Sequence, residues 1–431
     1  MHVYSAPLQP LAEKLRRGTV DLEQYIKDLC VHIEKVEPEV QAFLAEPNRQ
    51  ERLLAEAAAL KKRYPEPAER PLLYGIPVGV KDLLRVDGFP TRAGSRLDPT
   101  LFEGPEADAV KLLREAGALV LGKTVTTEFA YFEPGPTRNP HNLNHTPGGS
   151  SSGSAAAVAA GMCPLALGTQ TMGSVTRPAS FCGIIGFKPS YNRIPTAGLV
   201  YFSSSVDQLG LFTQDLAGME LAAPAFCRDW QPDPTPAKGP VIGIPEGPYL
   251  EQAKPETRKV FEQHLSRLAD AGLEIKRIPV LEDVATLARQ HNRMAAAEIA
   301  AAHSSWFSRQ RDLYRSRTVQ IIEEGQKIGE EELEEARRGR GELRRRLEEV
   351  MEEAAIDLWA APSTRGPAPE GISSTGDPAM NLPWTYAGLP TVTLPAGKAD
   401  NGLPLGLQLI APFWADEKLL TWTRRLAGYL T

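Results

Sequence analysis

The sequence predicts an α/β fold, and two stretches carry that prediction. Residues 241–280 read strand, helix, strand: VIGIPEG is short and apolar, PETRKVFEQHLSRLADAG has a helical period closed by Gly272, and LEIKRIPV returns to β-type residues. Residues 107–124 run helix, turn, strand as ADAVKLLREAG and ALVLGKT. Strands joined by helices pair in parallel, and the connecting helices cover the sheet.

Composition bounds the rest. A chain of 431 residues with 42% hydrophobic and 24% charged residues is an ordinary soluble composition, long enough for a large core. The net charge of −6, without a basic stripe, argues against direct nucleic-acid binding. Cys30, Cys163, Cys182 and Cys227 are irregularly spaced and read as buried small hydrophobes in a reducing compartment. The N-terminus shows no apolar signal segment, and the longest apolar run, 155–168, is broken by Gly161 and Pro164. A cytoplasmic protein with no membrane partner is expected.

Taken in order, residues 1–65 are helical: Leu11, Leu15, Leu22, Ile26 and Leu29 recur near helical spacing, and Pro65 and Pro67 end the run. Residues 76–80 form a short apolar strand, with Lys81 at its end. Residues 117–124, GALVLGKT, match the spacing of a phosphate-binding loop. That loop needs a strand before it and a helix after it, and here the order is reversed, so nucleotide binding is rejected. His141 and His145 lie in a loop between Pro140 and Pro147 and make a poor metal pair.

Residues 148–189 are the most unusual stretch. A glycine-serine turn opens it, an alanine-rich segment follows, and a second turn at 169–173 leads to Ser174, Arg177 and Pro178. Two glycine-flanked serines around an apolar helix read as a buried catalytic core. A flexible Gly/Ser loop beside a core helix is the other reading. Beyond it come a polar loop with a short strand, a helix near 211–223, a Pro-rich connector at 228–240 and a mostly helical region, 285–355. Within that region 330–353 is a densely charged, solvated helix face. Strands at 356–362, 389–397 and 403–412 and a last helix from Asp416 complete the chain.

The motifs GGSSSGS (148–154), GTQTMGS (168–174), Arg177-Pro178-Ala179 and GFKP (186–189) resemble the amidase signature family. GIPVGVKD (75–82), GKTVTTEFA (122–130), Asn381 and the strands at 389–397 and 403–412 are similar to it too. The resemblance runs over 70–215 and again over 355–420, with Ser150 and Ser174 standing 24 positions apart. It implies one domain over 1–431, an α/β/α sandwich with a large central mixed, mostly parallel twisted sheet covered by helices. Its parts would be a helical segment (1–65), a signature core (70–215), a helical and β-α-β region (240–355) and C-terminal strands with a helix (356–431). It implies hydrolysis of a small-molecule amide through a Ser–Ser–Lys triad: Ser174 as nucleophile, Ser150 as relay on a cis peptide, Lys81 as base. Backbone N–H groups of Thr171, Met172, Gly173 and Ser174 would hold the oxyanion, with no metal or cofactor. The family also includes A-type subunits of glutamine-dependent amidotransferases that supply ammonia for charged tRNA. A homodimer stays open.

The chemistry calls for each part. An alcohol must lose its proton as it attacks. A lysine accepts that proton only when neutral, and its ordinary pKa of ~10.4 leaves about one molecule in a thousand neutral near pH 7.4. Burial lowers that value by up to ~3–5 units. A serine donates and accepts at once, so Ser150 can relay. Three positions depart from the commoner family pattern: Gln170 stands for Asp, Met172 for Gly, and the arginine stands three residues after Ser174 instead of two. Malonamidase-like members look like this variant, which makes Arg177 a candidate contact for a substrate carboxylate, with Thr169 a second candidate. Arg177 clamped to a buried acid is the structural alternative.

Overall fold

A computed structural model describes residues 1–232 and 238–430. Ten strands form one sheet: β1 (Pro77–Lys81), β2 (Leu119–Thr124), β3 (Leu165–Gln170), β4 (Ile185–Lys188), β5 (Gln208–Thr213), β6 (Ile242–Glu246), β7 (Ile275–Pro279), β8 (Leu358–Pro362), β9 (Thr391–Lys398) and β10 (Pro404–Ile410). Their spatial order is β2-β1-β3-β5-β4-β9-β10-β8-β6-β7. The α/β class and the mixed, helix-covered sheet follow the expectation. The share of parallel pairing needs correction. Parallel ladders occupy the two flanks, β2-β1-β3 and β8-β6-β7. Every ladder from β3 to β8 through the middle is antiparallel. The predicted β-α-β unit forms the β6-β7 flank, where a helix, Pro255–Asp270, provides the crossover. The central pair β9-β10 is joined by a short turn, which only antiparallel strands allow.

β1 to β5, β8 and β10 are buried at every position. Polar alternation is missing because both faces are covered, so near-continuous apolar runs identify these strands. The helix Ser152–Ala159 is buried all round, and its small residues let neighbouring chain approach closely. A Cβ on Gly153 would overlap the Ala42 carbonyl oxygen. The charged helix Glu330–Glu353 is solvated on one side, but Ala336, Gly339, Leu343, Leu347 and Met351 form a buried stripe at helical spacing.

Residues 119–124 of the phosphate-loop look-alike are β2 itself, and its Lys123 pairs with buried Asp82 at 2.8 Å. His141 Nε2 and His145 Nδ1 each lie 2.9 Å from a backbone carbonyl, of Cys182 and Ala368. All four cysteines are buried and free. Of the Pro-rich connector, residues 233–237 lie outside the described residues. No helix among the described residues is long and apolar enough to cross a membrane.

Candidate active site

Lys81 is the last residue of β1 and is fully buried. Its Nζ lies 2.7 Å from Ser150 Oγ, 2.9 Å from Ser151 Oγ and 2.8 Å from Thr169 Oγ1. Burial holds its pKa well below the ordinary lysine value; Asp207 pulls it up and Arg177 pushes it further down. The surrounding bonds indicate which way the proton can move. The Ser151 hydroxyl donates to Thr169 O at 3.1 Å, so toward Lys81 it acts as an acceptor. Ser150 has no competing acceptor for its hydroxyl proton among the described contacts, so it can donate to a neutral amine.

The Gly149–Ser150 peptide is cis. Ser150 and Ser174 open on one narrow cavity, walled by Ala130, Tyr131, Phe132, Thr171, Met172 and Phe202 together with Arg177 and Thr375. No direct hydrogen bond joins the two serine hydroxyls. The free space, about 10 Å³, holds one water at most. Tyr131 stacks on Phe202 with centroids 5.3 Å apart, so the wall on that side is aromatic.

The loop leaving β3 presents the backbone N–H groups of Thr171, Met172, Gly173 and Ser174, none of which has a protein acceptor among the described hydrogen bonds. The next two N–H groups are held: Gln170 Oε1 accepts from Val175 N at 2.7 Å and Thr176 N at 3.0 Å. Gln170 Nε2 donates to Thr385 Oγ1 at 2.8 Å, and that hydroxyl reaches Met172 O at 2.7 Å. A carboxylate at position 170 could accept from the loop but could not donate to Thr385, so the neutral glutamine shapes both sides of the turn. Gly173 is required by space: a Cβ there would lie 2.5 Å from Asn381 Oδ1.

Arg177 is 2% exposed and has no carboxylate in ion-pair contact among the described residues. Its Nη2 donates to Gly149 O at 2.6 Å and to Thr375 Oγ1 at 3.3 Å, while Nε and Nη1 are buried without a partner. Burial pushes its pKa down to about 10, partly offset by the more distant Asp377, so it stays cationic at neutral pH. The clamp to a buried acid is therefore absent. Thr169, the second candidate, has its Oγ1 engaged by Lys81 Nζ at 2.8 Å, and it is not among the residues that wall the cavity.

Sequence reading missed several residues. Asp207 is buried directly before β5 and accepts from Thr171 Oγ1 at 2.5 Å, Phe202 N at 2.7 Å and Ser203 N at 2.9 Å. Burial raises its pKa to about 6 against these bonds and the attraction of Lys81. A lone carboxylate directly before an apolar strand was the available signal. Thr375, Thr385 and the Tyr131–Phe202 wall gave none, since only tertiary structure brings Thr385 behind the loop and the others to the cavity.

Known proteins share this architecture. The family model described as Amidase matches residues 24–420. The A subunit of glutamyl-tRNA(Gln) amidotransferase from Roseiflexus castenholzii (strain DSM 13941 / HLO8) is 33% identical over 97% of this chain and 94% of its own. Its counterpart of the same description from Synechococcus sp. (strain RCC307) is 30% identical over 96% of this chain and 95% of its own. A solved structure described as that of an amidase is 29% identical, covers 99% of this chain and 100% of its own, and superposes with a TM-score of 0.88. The chain belongs to the amidase family, the amidase signature enzymes that hydrolyse amide bonds.

Proposed function

We propose that the chain hydrolyses a carboxylic amide through an acyl-enzyme on Ser174, with Ser150 relaying protons to Lys81. The observation that carries this reading is the lysine: fully buried, held by three hydroxyls and depressed in basicity, it is poised to be neutral. Ser174 Oγ bonds to the amide carbon as its proton passes to Ser150 Oγ, whose own proton passes to Lys81 Nζ. The oxyanion takes N–H groups from residues 171–174. The tetrahedral intermediate then expels ammonia or amine, which leaves with a proton returned along the same path, and water repeats the sequence to release the acid. Bound substrate draws the two serines together, as catalytic hydrogen bonds in empty sites commonly tighten only in the complex.

Two observations bear on the amide. The curated relatives support the A-type role, in which the amide is glutamine's and the ammonia goes to a charged tRNA within an amidotransferase complex. The unpartnered Arg177 nitrogens at the cavity support an amide that also carries a carboxylate. Glutamine belongs to that class, as do small dicarboxylic monoamides, which a stand-alone amidase would take. The buried free cysteines fit a cytoplasmic setting. The test is ammonia release by the purified chain from glutamine, a dicarboxylic monoamide and a neutral aliphatic amide, with a fluorophosphonate to label Ser174. Turnover by the chain alone favours the stand-alone enzyme; turnover only with added amidotransferase partner subunits favours the A-type role. An unlabelled Ser174, or a Ser174→Ala variant with wild-type turnover, overturns the acyl-enzyme.

A further inference from the structure

The cavity has two walls, and one side chain is bonded to both. β3 and β5 pair so that Gln170 faces Gln208, which sets Asp207 beside Thr171, the first residue of the loop with the unpaired N–H groups. One carboxylate oxygen of Asp207 takes the Thr171 hydroxyl at 2.5 Å. The other takes the backbone N–H groups of Phe202 and Ser203 at 2.7 and 2.9 Å, and Phe202 is the aromatic wall opposite that loop. Ser203 Oγ in turn donates to Glu298 on the helix Val284–Ala302 at 2.7 Å, and Arg337 of the helix Glu330–Glu353 holds Glu298 at 2.8 Å. The brace therefore runs from the loop to the helical layer.

We propose that Asp207 is a positioning residue for the reaction: its carboxylate fixes the 171–174 loop against the Phe202 wall and supplies the negative charge that Lys81 meets when it becomes protonated. This rests on the reading of Ser174 as nucleophile and of residues 171–174 as the oxyanion site. Position 170, an acid in the commoner pattern, is a neutral glutamine here, so the hydrogen-bonded carboxylate on this loop comes from Asp207. The charged groups around it are Lys81 on β1, Arg177 on the helix Thr176–Cys182 and Glu298 behind Ser203, with the neutral phenol of Tyr191 also titratable. Lys81 and Asp207 favour each other's charged forms, while Arg177 disfavours the ammonium. Loss of the Asp207 charge makes Lys81 easier to deprotonate but leaves its protonated form less stabilised in the transition state.

The test compares Thr171→Val, Thr171→Ser and Asp207→Asn on one small neutral amide. Thr171→Val removes the donor without a change of shape, and kcat falls about 10- to 100-fold at nearly constant KM, as expected for a displaced reacting group. Thr171→Ser restores the hydroxyl and the rate. In Asp207→Asn kcat falls and the acid limb of the pH profile moves to lower pH, because a carboxylate that titrates near 6 is gone and Lys81 holds its proton less tightly. Wild-type kcat in Thr171→Val, equal damage in Thr171→Ser and Thr171→Val, or an acid limb unmoved in a folded Asp207→Asn overturns the proposal. The two Thr171 variants decide the case even if Asp207→Asn does not fold. Ser174→Ala and Lys81→Met run alongside: wild-type turnover in either removes the underlying reading itself, whatever Asp207 does.

Discussion

Replacing Arg177 by methionine keeps the stem and removes the cation, and the structure fixes what should follow. In the empty site Nη2 is engaged by Gly149 O and Thr375 Oγ1, whereas Nε and Nη1 are buried and unpartnered. A substrate carboxylate would supply acceptors for those two nitrogens. Hydrogen bonds to charged groups contribute about 1.5–3 kcal/mol each, so two at the low end give about 3 kcal/mol, or roughly 150-fold in kcat/KM. The variant also loses the Gly149 anchor, which sits beside Ser150 and harms every substrate alike. The informative quantity is therefore a ratio: kcat/KM for a carboxylated amide over kcat/KM for its neutral isostere. Steady-state ammonia release on both substrates gives it directly. The ratio should fall about 150-fold in Arg177→Met and should not recover fully in Arg177→Lys, since a point charge cannot match a planar fork. Because the guanidinium titrates at about 10, the wild-type ratio should hold across the neutral range and fall above it. A ratio that stays at its wild-type value while both rates drop would show that Arg177 only anchors Gly149, and the carboxylate reading would be refuted.

Three further outcomes can be checked with the same protein. Lys81→Met should abolish turnover and fluorophosphonate labelling near neutral pH; in the wild type, activity should rise with pH through a limb well below the usual lysine value, since the amine must be neutral and burial depresses it. Gly173→Ala should lower kcat about 100-fold or more and lower the melting temperature by a few degrees, because the new Cβ meets Asn381 Oδ1 at 2.5 Å, strains a packed site and displaces the N–H donors. His291 is buried with both ring nitrogens unpartnered, and burial pushes its pKa down to about 3. It stays neutral when folded but protonates when unfolded, so its contribution is complete above about 6.5 and is lost progressively as pH falls from there toward about 3. Between pH 7 and pH 5 the wild type should therefore lose about 2 kcal/mol more than His291→Leu in urea denaturation; parallel losses would refute that account.

How much of this was legible in the chain divides along a physical line. Strands buried on both faces announce themselves as apolar runs, and the β-α-β unit at 241–280 carries its own punctuation, so the class could be read locally. The stretch with Ser150 and Ser174 stood out because glycines and small residues recur there at short spacing, whereas Lys81, closing an apolar strand, was tied to the serines only by the family resemblance. The direction of pairing in the middle of the sheet was not, since nothing in β4, β5 or β9 states which neighbour it will meet. Thr169 shows the same limit at one side chain. The family resemblance made it a candidate substrate contact, and nothing local announced that its hydroxyl would lie against Lys81.

The parts that tune the site come from farthest away. Thr385 reaches Gln170 across 215 positions and Thr375 reaches Arg177 across 198. No local pattern encodes such a meeting; it exists only after β9 has inserted beside β4 and the short helix Leu382–Ala387 has packed behind the loop. Gln170 makes the consequence concrete. Read alone, it is one departure from a familiar motif. In place, its amide accepts from the loop N–H groups while donating to Thr385, whose hydroxyl lies against the Met172 carbonyl. An aspartate there would add a negative charge to the loop and leave Thr385 without its donor. The neutral residue at 170 and the cation at 177 thus belong to one arrangement, in which no carboxylate of the loop neutralises the guanidinium, and the Arg177→Met ratio tests whether a substrate does.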